Sequence, residues 1–167
     1  MDRCDDCGFT YDLSDAAGAG RAVVDGAGEL AAVLHGSPVD LRSRPEPQTW
    51  SPLEYACHVR DVLLVQRERV LTARRIDRPS LPPMGRDERV EHDGYAEQDP
   101  RDVARQLVDA AELFANVLAR LGPTDWERTV MYNFPELLER SLRWVAVHTV
   151  HEVRHHLLDI RRQLAPG

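Results

Sequence analysis

The chain has 167 residues and a formal net charge of −7, with 43% apolar and 29% charged residues, the balance of one soluble domain able to bury its own core. The acidic excess argues against nonspecific nucleic-acid binding, which needs a cationic face. No apolar run approaches the ~18 residues that span a bilayer, and MDRCDDC lacks the apolar stretch of a signal peptide, so the expectation is a cytoplasmic protein without a membrane partner.

Residues 1–12 read as an irregular N-terminal segment carrying Cys4 and Cys7, and residues 13–167 as the domain proper. A first helix is predicted from about Ser14, a fair N-cap, to His35, with Gly36 and Pro38 as its stop signal. Glycines at 18, 20, 26 and 28 weaken that helix, each by roughly 1 kcal/mol against Ala, unless they serve close packing. Pro38, Pro45 and Pro47 make residues 36–50 a loop. The second helix opens on Ser51-Pro52-Leu53-Glu54, a capping box with proline at the first helical position, and runs to about Arg75. Residues 77–98 form a long connection, of a length that in a compact domain is a crossover or functional.

A third helix starts at Asp99-Pro100 and ends at Gly122-Pro123. Residues 123–136 are predicted to be loop, and the fourth helix runs from about Leu137 to Leu164. No segment reads as a strand. The expected fold is all-α: a four-helix bundle with long crossover connections.

The chemistry concentrates in His148-Thr149-Val150-His151-Glu152-Val153-Arg154-His155-His156. Residues i and i+4 share a helix face, so His151 and His155 can aim at one point. Trp144, Val147 and Leu158 extend that stripe and turn it inward. Two imidazoles in a core need partners, and a divalent metal satisfies both. His58, on the apolar stripe Tyr55, His58, Val62, Val65 of the second helix, is the third candidate ligand. The alternative is a buried histidine hydrogen-bonded to a carbonyl or carboxylate.

His151-Glu152-x-x-His155 also fits the zincin pattern, in which Glu152 would be a general base. The metzincin extension, a downstream Glu ligand and a cleft-shaping sheet are all missing from the sequence, so the pair suits a bundle better, with Glu152 beside the ligands.

Trp50-Ser51-Pro52-Leu53-Glu54-Tyr55 leading to His58-Val59-Arg60-Asp61, the segment from Gly85-Arg86-Asp87-Glu88-Arg89 to Tyr95-Ala96-Glu97-Gln98-Asp99, and the run from His148 to Ile160 together resemble the DinB-like superfamily, in particular its mycothiol-dependent maleylpyruvate isomerase-like branch. The resemblance implies a four-helix bundle and three histidine ligands, mapping onto His58, His151 and His155. It implies zinc, with nickel, iron or manganese as alternatives, because imidazoles do not select sharply among them. It further implies a low-molecular-weight thiol of the mycothiol type and a small electrophilic substrate. An open metal site lowers a thiol's pKa and delivers a thiolate at neutral pH.

Three cysteines do not make a disulfide framework. Cys4-x-x-Cys7 is half of a structural zinc site. The pair could recruit a histidine such as His35, His92 or His156 for a second zinc. It could instead cover the bundle mouth, touching the first metal or acting as a redox dithiol, or be a remnant. Cys57 reads as a small core residue, His156 as surface, and His148 as a substrate-facing or supporting group. Trp50, Trp126 and Trp144 read as packing anchors.

Three functions follow from these residues. The leading one is a metal-dependent thiol transferase or isomerase, with Glu152 and His148 as its catalytic candidates. A non-catalytic metal-binding or stress-response protein and a hydrolase with Glu152 as base are the alternatives. A homodimer through an exposed helix face is compatible with each.

Overall fold

The structure is a computed structural model that describes residues 3–37, 40–133 and 136–165. Four long helices form the bundle: α1 (Ala19–Gly36), α2 (Pro52–Arg75), α4 (Pro100–Leu118) and α6 (Leu142–Leu164). Two shorter helices, α3 (Arg86–His92) and α5 (Pro123–Trp126), lie in the connections. Helices α1 and α2 each pack against both α4 and α6. The order around the bundle is therefore α1, α4, α2, α6, and the chain crosses a diagonal both from α1 to α2 and from α4 to α6. Those diagonal steps are what the long connections are for. None of the described helices is long and apolar enough to cross a membrane.

The capping box of α2 forms as the sequence predicts. Ser51 Oγ accepts from the Glu54 amide at 3.2 Å, and Glu54 Oε2 accepts from the Ser51 amide at 2.8 Å. Asp99 caps α4 through its Oδ1, 2.8 Å from the Arg101 amide. The start of the first helix differs. Asp12, not Ser14, is the cap, and a 3-10 turn over Leu13–Gly18 precedes α1. Asp12 Oδ1 accepts from both the amide and the hydroxyl of Ser14, which makes Ser14 the capped residue of the turn rather than its cap. Pro38, the stop signal beyond Gly36, lies outside the described residues.

The glycines of α1 divide by position. A Cβ on Gly26 would sit 2.6 Å from Val153 Cγ1, so Gly26 lets α1 and α6 approach, whereas a Cβ on Gly28 would meet nothing within 4 Å.

The expectation of no strand is corrected. β1 (Ser80–Leu81) pairs in parallel with β2 (Thr129–Asn133), and β2 pairs antiparallel with β3 (Leu137–Ser141). The fourth helix accordingly begins at Leu142 rather than Leu137, with Ser141 Oγ accepting from the Trp144 amide at 3.2 Å. Leu137-Leu138-Glu139-Arg140 has strong helix propensity, but pairing with β2 overrides it. In β2 the alternation is real, with Val130 and Tyr132 buried and their neighbours half-exposed. Tyr132 is thereby held against the bundle, its hydroxyl accepting from Gln66 Nε2 at 2.9 Å and Arg69 NH1 at 2.8 Å.

The connection between α2 and α4 is also more ordered than a loop. Asp61 on α2 accepts from Arg60 Nε at 2.8 Å, Arg89 NH1 at 3.0 Å and the Tyr95 hydroxyl at 2.7 Å. Burial and the Asp61 carboxylate both raise the Tyr95 phenol. Arg60 continues inward to Gln106 and outward to Asp93.

Candidate metal centre

Helix α6 carries five potential ligands within nine residues. At about 100° per residue, His151 and His155 lie on one edge of a stripe, His148 near its middle, and Glu152 and His156 on the other edge. Two different elements meet the two edges. Helix α2 brings His58 to the Glu152 and His156 edge. The N-terminal segment, folded back on itself through the Arg3–Thr10 bridge, brings Cys4 and Cys7 to the His151 and His155 edge.

Ligand atoms of His58, Glu152 and His156 accordingly lie within 4.8 Å of one another, as do those of Cys4, Cys7, His151 and His155. Two overlapping sets, His148 with His151 and Glu152, and His155 with His156 and Asp159, share members with these. The expected trio of His58, His151 and His155 does not converge. One helical step decides it, because the residues that look toward α2 are 152 and 156 while 151 and 155 look toward the N-terminal hairpin. His156, read from sequence as a surface residue, is only 13% exposed at its side chain. His35 and His92 belong to neither cluster among the described residues.

Glu152 is the hub. Its carboxylate stands 3.9 Å from His58 Nε2, 3.7 Å from His148 Nε2, 3.2 Å from His151 Nδ1 and 3.8 Å from His156 Nε2. Burial pushes its pKa up, but the hydrogen bond with His151 and the nearby His156 and His58 imidazoles outweigh this and hold it well below the usual carboxylate range. The histidines divide. Burial alone would depress His156, yet Asp159 and Glu152 raise it to about 9. Burial lowers His58, with Glu152 opposing. His148, also buried, is lowered by burial to about 4 and is neutral at pH 7.

The donors of the first set suit a divalent ion. His156 Nδ1 bonds Asp159 Oδ2 at 3.0 Å, which holds a proton on Nδ1 and leaves Nε2, facing Glu152, as the atom that would give up its proton to a metal, the usual support of a metal-bound imidazole. His58 is buried, its Nδ1 has no hydrogen-bond partner among the described residues, and its Nε2 is too far from Glu152 for a hydrogen bond. A buried imidazole this poorly satisfied calls for a further partner. Two histidines and a glutamate form a known open catalytic ligand set.

His148 is engaged elsewhere. Its Nδ1 pairs with the Tyr11 hydroxyl at 3.0 Å, and its ring stacks on Trp144 at 4.5 Å with Tyr132 edge-on at 5.6 Å. It braces α6 against the N-terminal hairpin and the sheet rather than facing open space. Cys57 is buried with its thiol pushed up to about 12 by burial, the core residue expected. Trp50 and Tyr55 border the cluster, Trp50 5.1 Å from the His58 ring and Tyr55 stacked 5.1 Å from His156. Trp50 and Arg86, whose guanidinium lies 5.9 Å from the indole centroid, could be found in the sequence only by knowing how the connections fold. Glu152 and His156 had a signal in the i, i+4 spacing itself, which they share with His151 and His155.

The class these features define is a four-helix bundle with crossed connections whose buried histidine–carboxylate cluster, between two helices, could hold a metal ion. The sequence pattern of the DinB superfamily matches residues 26–160, and the chain belongs to that superfamily. The fold is similar to that of YfiT from Bacillus subtilis, described as a probable metal-dependent hydrolase with an unusual four-helix bundle topology. That likeness has a TM-score of 0.76 at 12% identity and covers 92% of this chain and 90% of that one. No curated protein sequence matches the chain.

Proposed function

We propose that the protein is a metal-dependent enzyme that holds a divalent ion, best zinc, on His58, Glu152 and His156 and uses it to activate a low-molecular-weight thiol of the mycothiol type against a small electrophile. The convergence of those three side chains carries the reading. Membership of the DinB superfamily supports it. A bound ion would supply Lewis acidity, lowering the pKa of a nucleophile that enters an open position.

The chain's own residues favour a thiol over water. Glu152 is taken up as a ligand and by the surrounding imidazoles, Asp159 by His156, and His148 by Tyr11. Among the described residues, Glu152, Asp159 and His148 are thus each engaged and do not stand ready to deprotonate water in the zincin manner. A thiol is acidic enough to do without such a base. Its proton passes to solvent and its sulfur forms the bond to the electrophilic carbon. The displaced electron pair departs with the leaving group in a transfer, or returns to expel the thiol in an isomerisation. Trp50 and Tyr55 supply an apolar, aromatic border for the carbon skeleton.

The test pairs metal content with thiol dependence. His58→Ala and His156→Ala should each lose the ion and the activity toward a panel of electrophiles, and wild type should turn those electrophiles over only with a small thiol present. Turnover of esters or amides without any thiol would replace this reading by the hydrolase suggested for YfiT. Full metal retention in both variants would remove the site.

A further inference from the structure

Cys4, Cys7, His151 and His155 are not among the proposed ligands of the site described above, although His151 touches Glu152. We propose that these four side chains form a tetrahedral zinc site that clasps the N-terminal hairpin onto helix α6. Ligand atoms of all four lie within 4.8 Å of one another, with Cys4 Sγ 3.7 Å from His155 Nδ1. Two thiolates and two imidazoles are a structural zinc set, and their softness selects zinc over the oxygen-seeking cations.

The side chains are already disposed as ligands. His151 Nε2 is buried and has no hydrogen-bond partner among the described residues. Its other nitrogen, Nδ1, lies 3.2 Å from Glu152 Oε1. A carboxylate behind one nitrogen and a free lone pair on the other is how a zinc-bound histidine is held. The cysteines sit in a tight turn. The Cys4 amide donates to Phe9 O at 2.8 Å, the Gly8 amide to Cys4 O at 2.9 Å, and Gly8 follows Cys7 with φ +73°, a conformation that glycine adopts freely. Such a turn presents both sulfurs on one side, toward α6.

The consequence reaches the first site. Beyond the cysteines the hairpin sends Phe9 to within 5.4 Å of the His151 ring and Tyr11 to the His148 ring, and Arg162 reaches back to Asp6 O at 3.1 Å. A zinc ion at the turn would fix this cover over α6, and through His151 it would fix the Glu152 carboxylate. Binding displaces the two thiol protons to solvent and changes no oxidation state.

The test uses the full-length reduced chain. Added cobalt(II) should give the intense near-ultraviolet sulfur-to-cobalt band of thiolate ligation. That band should vanish in Cys4→Ser/Cys7→Ser and persist in His58→Ala/His156→Ala, which separates this site from the proposed catalytic one. Elemental analysis should find one zinc fewer per chain in the cysteine variant than in wild type. In zinc-replete wild type, a thiol reagent should reach Cys4 and Cys7 only after a chelator is added, a measurement that does not depend on any variant folding. Cobalt binding without a thiolate band, freely reactive Cys4 and Cys7 at full zinc content, or a Cys4–Cys7 disulfide in protein isolated from a reducing cytosol would each overturn the proposal.

Discussion

Glu152 holds an unusual position for a single side chain, because one carboxylate faces four imidazoles while only 17% exposed. In a medium of low effective dielectric such an arrangement is favourable only if the charges balance. His156, raised to about 9 beside Glu152, supplies positive charge on the His58 side, and the proposed ion would take over that role when it displaces the Nε2 proton. The residue that tunes it is Asp159, which contacts His156 and not the ion's other ligands. Asp159→Asn keeps the shape and removes the charge that fixes the His156 tautomer. It should weaken metal binding about 10–100-fold, the usual effect of losing a carboxylate behind a ligating histidine, while the helical circular dichroism stays unchanged. Calorimetric titration of the metal-free protein with zinc measures this. Unchanged affinity would mean that His156 is not a ligand.

At the scale of the element, α1 offers a matched pair of substitutions. Gly28 is exposed and a Cβ there meets nothing, so Gly28→Ala should stabilise by up to about 1 kcal/mol through helix propensity alone. Gly26→Ala gains the same propensity but drives a methyl group into Val153, and overpacking of this kind costs about 1–3 kcal/mol. Thermal melts of the two variants should shift in opposite directions, and a stabilised Gly26→Ala would mean that α1 and α6 are not in close contact. Helix α2 carries a pH-dependent element at its cap. Burial raises the Glu54 pKa, but Arg44 and the Ser51 amide lower it further, for a net depression. A carboxylate depressed on folding stabilises above its unfolded value of about 4.3 and loses that contribution as pH falls through the folded value. Glu54→Gln should therefore lose about 1 kcal/mol at pH 7, modest because Arg44 is 36% exposed. The gap from wild type should close toward pH 3 in denaturant titrations, and a gap that persisted there would deny the ion pair its role. These capped, periodic helices were legible in the sequence because Ser51, Pro52, Asp99 and Pro100 are local signals. The sheet was not, since Leu137–Ser141 has a helical composition and becomes a strand only by pairing with a segment that folds elsewhere. The metal cluster was half legible. The sequence indicates an i, i+4 pair on α6 and His58 opposite it, but which of two adjacent pairs faces α2 depends on the helix rotation, and that is set by packing over the whole bundle.

The whole molecule depends on how its diagonal crossings are pinned, because α2 can present His58 to α6 only if the long connection leaving its far end does not pull it out of register. The pin is Asp61, one turn beyond His58 on the same helix. It gathers Arg60, Arg89 and Tyr95, so α3 and the 3-10 turn that follows it are tied directly to α2. Arg60, Asp61 and Tyr95 are buried within this polar knot, and a buried ion pair stripped of one partner is worse than no pair at all. Asp61→Ala would leave the buried Arg60 with only Asp93 and its amide partners, and the buried Tyr95 hydroxyl without its acceptor. The expected loss is about 3 kcal/mol, the lower part of the range for breaking a buried pair, because Arg89 is partly exposed and can turn to water. The knot joins one connection rather than the core, so the damage should be local first. Limited proteolysis should cut Asp61→Ala within residues 82–98 under conditions that leave wild type intact, before the global melt begins. A variant destabilised to that extent but cut no faster in this segment would show that Asp61 supports the bundle core and not the crossing.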